Sequence, residues 1–327
     1  MIAPIVTAPI VTAPTVTAPT VTACIPYYGG RRYITRAVEG LLAQTHRDLD
    51  VIIVNDGDPD RPWAQLRHLR DPRLIFFDLK RNHGGPFFAN AVVAEAAGSP
   101  WFLVQEQDDW SAPGRVERLL HLAGERHADV AVSGQYFHKQ QADGSSRPVG
   151  PRWQHSGRET CPACAPRSRC QECFVDLAVT ERYWYRAPHA GLFRVELLRR
   201  IGGYYAGLHL HHDSLLMNVL LMTGTVAHTP DPLYHRLLRP DSITHAPHSG
   251  LGSEASNRER CKVIDLYGSF FEQYRRYVQG VIGSDALAES IRRRCESNVS
   301  PEERRELRDE AARLREHLAG RRKRRLN

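Results

Sequence analysis

No run of about 18 consecutive apolar residues occurs in the 327 residues of this chain, so no segment has the length and hydropathy of a bilayer-spanning helix. The opening MIAPIVTAPI has neither the positive n-region nor the leucine-rich h-region of a secretory signal, which leaves the cytoplasm as the expected location. Lysine is nearly missing: it stands only at Lys80, Lys139, Lys262 and Lys323, so the formal net charge of +7 is carried almost wholly by arginine. That bias points to a GC-rich genome more than to a function. Part of the charge gathers in the terminal RRKRRLN, which could meet acidic lipid or nucleic acid but reads most simply as a solvated tail. The remaining composition, 42% hydrophobic and 25% charged, is that of a soluble globular protein, and the length allows one large domain or two small ones.

Residues 3–22 repeat a five-residue unit, APIVT, APIVT, APTVT, APTVT. Proline every fifth residue removes a donor and fixes φ, which excludes helix and disfavours a central strand. Residues 1–19 are therefore expected to form an extended, disordered leader. In the last unit Val21–Ile25 predicts a first strand, and Pro26–Gly30 a turn. Ile34, Val38, Leu41 and Leu42 then recur at helical spacing within residues 31–45. The unbroken β-branched run at 51–54 suits a parallel strand covered on both faces. A short helix is expected at 62–69, a strand at 74–77, a helix at 86–97 closed by Gly98, and a strand from Trp101.

This β-α-β-α-β-α-β order predicts an α/β fold with a mostly parallel, doubly wound sheet and flanking helices. The second half is less regular. It predicts a strand at 129–137, a polar loop at 140–158, helices at 195–201 and after Asp213, and short strands at Thr225 and Leu233. From about residue 253 the text is helical and charged to the end, and those helices either wrap the domain or pair with a second copy of the chain.

The stretch WFLVQEQDDWSAPGR, residues 101–115, organises the rest. An apolar run of strand length stops at Glu106, Gln107, Asp108 and Asp109, which puts three carboxylates just past a strand end. Open α/β sheets bind ligands at the carboxyl ends of their strands, so acids there can hold a cation that in turn holds a phosphate. An acidic turn capping the next helix is the plainer alternative. Asn55-Asp56-Gly57-Asp58 closes the second strand in the same way, and its plain alternative is an Asx turn.

Three segments, CIPYYGGRRYITRAVEGLLAQTHRDLDVIIVNDGDPD, RNHGGPFFANAVVAEAAGSPWFLVQEQDDW and IGGYYAGLHLHHDSLL, resemble in that order the core of the family-2 glycosyltransferases of the GT-A fold, over about residues 20–245. The resemblance implies a Rossmann-like GT-A domain that moves a sugar from a nucleoside diphosphate donor, uridine most often, to a hydroxyl or amine with inversion. Carried over by position, Asp56 resembles the aspartate that contacts the base, with Pro26 and Tyr28 on the donor side. Asp109 resembles the metal-binding acid, with Asp108 beside it, and Glu106 the first acid of the D-x-D-D form. Asp213 resembles the general base; His211 and His212 fall on the acceptor side and compete for that role, but read more simply as a surface histidine pair with no catalytic task; and Arg239 falls where the family often has a histidine or arginine near the diphosphate. The sequence departs from the pattern at Ala89, which stands where an arginine helps to hold the donor, and in reading NDGD for the leading D-D-G-S.

The chemistry suits these residue types. Charge develops on the departing diphosphate, and one hard cation, Mg²⁺ or Mn²⁺, stabilises it using one or two carboxylates. A carboxylate within reach of the acceptor hydroxyl takes its proton on the opposite face. Asp213 is equally placed by sequence to cap the helix that follows it.

Cys161, Cys164, Cys170 and Cys173 read C-x2-C-x5-C-x2-C, a spacing that suits structural Zn²⁺, with disulfides or free thiols as alternatives. The expected organisation is thus a leader at 1–19, a donor half at 20–137, an acceptor half at 138–250 carrying the four-cysteine insertion at 161–173, and a helical extension with a basic tail at 251–327. The expected partners are a nucleotide-sugar donor and an acceptor that is a secondary metabolite, a polysaccharide, a lipid-linked precursor or a peptide. No nucleic acid is expected; peripheral membrane contact and a homodimer through the last helices are open. The rival readings are a GT-A-like scaffold without catalysis and a zinc-knuckle nucleic-acid-binding protein.

Overall fold

The computed structural model describes residues 20–152, 190–243, 250 and 252–326. The repeat leader and Cys161, Cys164, Cys170 and Cys173 lie outside the described residues. The strands are β1 Val21–Tyr27, β2 Leu49–Asn55, β3 Leu74–Asp78, β4 Trp101–Val104, β5 Trp110–Ser111, β6 Val130–Gln140, β7 Ser146–Arg152, β8 Gly191–Arg194 and β9 Val226–Leu238. The helices among the described residues are α1 Ile34–Leu42, α2 Pro86–Ala96, α3 Arg115–Glu125, α4 Val195–Arg200, α5 His212–Thr223, α6 Glu254–Val278, α7 Ser284–Asn298 and α8 Pro301–Leu326.

The strands form one sheet in the order β3-β2-β1-β4-β8-β6-β9-β5, with β7 paired to β6. The first four strands are parallel, as the alternation of strands and helices predicts. Strand residues point alternately to the two faces, and two cores follow from that alternation. Val21, Ala23, Ile25, Val51, Ile53 and Leu103 face α1 and α3, where Val38, Leu41, Val116 and Leu119 close the layer. Cys24, Ile52, Val54, Phe102 and Val104 face α2 and the second half, against Phe88, Val92, Leu216 and Leu220. Both faces are therefore covered, which explains why the strands read as continuous apolar runs.

The structure corrects several sequence expectations. Residues 62–68 form consecutive turns rather than a helix. Pro26 lies inside β1, not in a turn, opposite Val54 of the parallel neighbour. The polar stretch after Gln140 is not wholly loop: it turns at Gly144, whose φ is +83°, and returns as β7 antiparallel to β6. Thr225 precedes β9, and Leu233 belongs to that same strand, which is continuous through a register shift opposite Ser133 and Gln135. Pro230 and Pro232 sit in the shifted part, where no ladder donor is required of them. A Cβ at Gly134 would stand 2.4 Å from the Pro230 carbonyl oxygen, so only glycine admits this approach.

The last three helices wrap their own domain. Ser253 caps α6 by accepting from Ser256 N–H. From α8, Arg321 donates to the carbonyls of Pro72 and Leu74 at 3.2 and 3.0 Å, and Arg315 pairs with Glu95 of α2 at 2.6 Å. Ala311, Leu314 and Leu318 join the core on the α2 face.

Candidate functional site at the carboxyl end of the sheet

The site is built on the loop between β4 and β5, and a buried arginine holds that loop. Arg115, the first residue of α3, is 0% exposed. Its guanidinium donates to the carbonyls of Val104 and Ala190 at 3.1 and 2.8 Å, and to Ser111 Oγ and Gln105 Oε1 at 2.8 and 3.3 Å. It also lies 4.6 Å from the ring centroid of Tyr234. One cation thus ties together both ends of the acidic loop and the start of β8. Burial lowers its pKa to about 10, which leaves it charged at neutral pH. In the sequence Arg115 reads only as the start of a helix; its lack of any nearby helical charge partner is the one available signal.

The three acids divide their roles. Asp109 is 4% exposed and accepts a 2.7 Å hydrogen bond from Leu237 N–H of β9. Burial, and then the charge of Asp108, push its carboxyl up to about 8, against the pull of Arg236 and the Leu237 N–H. Asp108 pairs with Arg239 Nε at 2.6 Å. The Glu106 N–H donates to the Tyr234 hydroxyl at 3.1 Å. Arg236, two residues along β9 from Tyr234, interacts electrostatically with Asp109, Asp213 and Glu106 together. Arg236 is thus within electrostatic reach of Asp109 first, and of Asp213 and Glu106, a guanidinium that sequence reasoning does not single out. Strand alternation from Tyr234 is the available signal for it.

Among the described residues, no cluster of three or more His, Cys, Asp and Glu side chains could hold a metal ion. A hard cation here would rest on Asp109 and Asp108 and take its other oxygens from substrate and water, as Mg²⁺ commonly does. The residues fit such a group: Asp109 is a buried carboxyl lifted toward neutrality, and an added cation offsets that cost.

Just past the end of β2, Asp56 is 3% exposed and accepts from His83 N–H at 3.0 Å, with His83 Nδ1 at 3.1 Å. His83 stacks on Phe88 at 3.6 Å between centroids, and its Nε2 lies 3.2 Å from Glu306 of α8. The C-terminal helices are thereby tied to the candidate base-binding aspartate. Tyr28 is 54% exposed at the end of β1. Its backbone N–H donates to Gln107 Oε1 at 3.0 Å, and its carbonyl accepts from Gln107 Nε2 at 2.9 Å, so the acidic loop is sewn to β1 by one side-chain amide. Gly30 leaves room for this amide, because a Cβ there would meet Gln107 Oε1 at 2.1 Å and the glutamine would have to swing away. Ala89 is fully buried in α2, so no cation stands at this point of the helix. The guanidinium groups of the site come instead from Arg36 on α1 and from Arg236 and Arg239 at the end of β9.

On the other side Asp213 lies in the first turn of α5 and accepts from Ser214 N–H at 2.8 Å. His211 precedes the helix in the left-handed region, with φ of 59°, and its Nε2 is 3.0 Å from Ser256 Oγ. His212 is not at a surface: it is 2% exposed, bonds to the Tyr204 carbonyl and packs on Phe87, Tyr204 and Tyr205. Its acceptor-side position in the sequence thus becomes a core position in the fold.

A further aromatic layer flanks the acids. Trp110 stacks on His235 at 5.1 Å and carries the Arg36 guanidinium 3.6 Å above its ring. His138 Nε2 and His235 Nδ1 are 3.1 Å apart. Burial lowers both imidazole pKa values; His138 is lowered further by His235 and by Arg36, and His235 by Arg36.

A parallel α/β half, an acidic loop at its carboxyl edge and a second acid in the first turn of α5 define an α/β protein of the GT-A type. The chain belongs to glycosyl transferase family 2, whose model matches residues 22–202. It is 33% identical over 105 residues to the succinoglycan biosynthesis protein ExoO of Rhizobium meliloti, a match covering 32% of this chain and 30% of that protein. It is 22% identical over 252 residues to the glycosyltransferase YibD of Escherichia coli, covering 76% of this chain and 70% of YibD. The chain spans roughly a third of the length of ExoO and of the Nostoc glycosyltransferase alr2836. The fold is similar to that of S. aureus TarS residues 1–349 in complex with UDP-GlcNAc, with a TM-score of 0.53 at 14% identity, covering 92% of each chain.

Proposed function

We propose that this chain is an inverting glycosyltransferase that moves a sugar from a nucleoside diphosphate sugar to an acceptor hydroxyl or amine. The observation that carries the reading is the acidic loop at the carboxyl edge of the parallel sheet, where Asp109 accepts from Leu237 N–H at 2.7 Å and Asp108 pairs with Arg239 at 2.6 Å. Asp109 and Asp108 hold the diphosphate end of the donor, with Asp56, Pro26 and Tyr28 on the nucleotide side. Arg236 and Arg239 offset charge that develops on the β-phosphate as the sugar leaves, the task that falls elsewhere to an arginine at the position of Ala89. Asp213 takes the proton of the acceptor as its oxygen or nitrogen attacks the anomeric carbon from the face opposite the diphosphate. A bound Mg²⁺ or Mn²⁺ adds Lewis-acid stabilisation of the departing diphosphate.

Uridine is the first nucleotide to test, because the TarS complexes of similar fold hold UDP and UDP-GlcNAc. The proposal also includes a cytoplasmic location and a structural Zn²⁺ at Cys161, Cys164, Cys170 and Cys173. Donor use is tested by release of nucleoside diphosphate from UDP-, GDP- and dTDP-sugars with Mn²⁺ present. Turnover of one donor, abolished by EDTA and restored by Mn²⁺, is the expected result. No release from any of them, together with no nucleotide binding, contradicts the reading.

A further inference from the structure

The turn after β2 and the turn before α2 are built as one unit. Gly57 has a φ of +73°, and a Cβ on it would stand 2.4 Å from the Asn82 backbone nitrogen, so only glycine lets the two turns come this close. Asn82 Nδ2 donates to the Asp56 carbonyl at 3.0 Å. The Asp56 carboxylate is held at one oxygen: Oδ1 accepts from the His83 N–H at 3.0 Å, and His83 Nδ1 lies 3.1 Å from the same atom. Among the described residues no bond falls on Oδ2, which leaves that oxygen to a ligand donor.

The last helix holds the His83 ring from its other edge. His83 Nε2 lies 3.2 Å from Glu306 Oε1 of α8, close enough for an ion pair though not aligned as a hydrogen bond. Glu306 accepts two bonds from Arg81, Nε to Oε1 at 2.9 Å and Nη2 to Oε2 at 2.5 Å. Burial works to raise the Glu306 pKa, but Arg81 and His83 outweigh it and hold the carboxyl below its ordinary value, so it is ionised at neutral pH. A second route reaches the face of the ring. The Tyr205 hydroxyl donates to Glu303 of α8 at 3.2 Å, Tyr205 meets Phe88 edge-on at 5.7 Å, and Phe88 stacks on His83 at 3.6 Å. The imidazole therefore has a carboxylate oxygen at each nitrogen and a ring against its face.

We infer that Glu306 and His83 are positioning residues for nucleotide binding: the last helix fixes the His83 ring, and the ring fixes the Asp56 carboxylate toward the base of a bound nucleoside diphosphate. The inference rests on the proposed function for the role of Asp56, and on these contacts for the route from α8. Anchoring of α8 is the plainer role for the same contacts, but α8 has other anchors that do not touch Asp56. Arg315 pairs with Glu95, Arg321 donates to the Pro72 and Leu74 carbonyls, and Ala311, Leu314 and Leu318 lie in the core.

The test is calorimetric titration of UDP and of inorganic pyrophosphate, each with Mn²⁺, into wild type, Glu306→Ala, His83→Ala, the double variant and Arg315→Ala. Pyrophosphate reports the diphosphate end alone. Glu306 is only partly buried, so its variant should fold even if the buried His83→Ala does not. The expected result is a loss of about tenfold in UDP affinity in each single variant of Glu306 and His83, no further loss in the double variant, and pyrophosphate affinity within about twofold of wild type. Arg315→Ala, which cuts a different pair between α8 and α2, should leave both affinities within about twofold. Unchanged UDP affinity in Glu306→Ala overturns the inference. Equal losses of UDP and pyrophosphate, or an equal loss in Arg315→Ala, overturn it by reducing the effect to docking of the helix. Additive losses in the double variant overturn the route through His83. A wild-type protein that binds no UDP overturns it through failure of the nucleotide reading itself.

Discussion

The Leu237 N–H donates to the Asp109 carboxylate at 2.7 Å, and this bond joins the acidic loop of the parallel half to β9 of the second half. Because β9 also carries Tyr234 and Arg236, the same register that supplies the bond aims both side chains at the loop. The shift in β9 opposite Ser133 and Gln135, admitted by Gly134, sets that register.

The Arg115 network should be the largest single polar contribution to the stability of the loop. Arg115→Met leaves the Val104 and Ala190 carbonyls, Ser111 and Gln105 without this donor, all in buried surroundings. Unsatisfied buried groups predict a loss of about 3 kcal/mol. Chemical denaturation of wild type and variant measures it, and a loss below about 1 kcal/mol would show that the network is dispensable.

Stability should fall on the acid side through the His138–His235 pair. Both imidazoles have folded-state pKa values lowered from the ordinary 6.5, chiefly by burial. The unfolded chain then binds more protons just below pH 6.5, so the stabilisation is complete above that value and is lost as pH drops below it. Thermal midpoints at about pH 7.5 and about pH 5.5 measure the slope, and a His138→Gln, His235→Gln double variant should flatten it. An equal slope in the variant would assign the acid sensitivity to other groups.

Asp213→Asn should separate binding from chemistry. Loss of a general base lowers kcat by roughly 10²–10⁴ while nucleotide affinity stays within about twofold. The Ser214 N–H can still be capped by the asparagine oxygen, so α5 should remain folded. Near-normal turnover would remove Asp213 from the base role.

Much of this arrangement is legible in the sequence because it depends on local pattern. The parallel strands β1 to β4 follow from apolar runs of fixed length, and the acids at their ends follow from the abrupt change at Gln105. The three segments that resemble the family lie within or beside the matched residues 22–202. What is not legible depends on long-range pairing. Arg115 and Arg236 are two arginines among many until β8 and β9 are laid beside β4, because a missing helical charge partner and strand alternation are signals too weak to single out either one. His212 reads as half of a surface pair because its neighbour His211 takes the left-handed turn and leaves only the second ring in the core. β7 escapes a sequence reading because its residues are polar and proline-bearing, and its pairing comes from β6 rather than from its own propensity.

On the proposed function Asp109, with Asp108, would hold a divalent cation that stabilises the donor diphosphate, and calorimetric titration of UDP with and without Mn²⁺ against wild type and Asp109→Asn tests this most directly. The prediction is Mn²⁺-dependent UDP binding in wild type and a loss of at least about tenfold in affinity in the variant, with the fold intact by circular dichroism. UDP binding that is equally strong in the variant, or indifferent to Mn²⁺ in wild type, would contradict it.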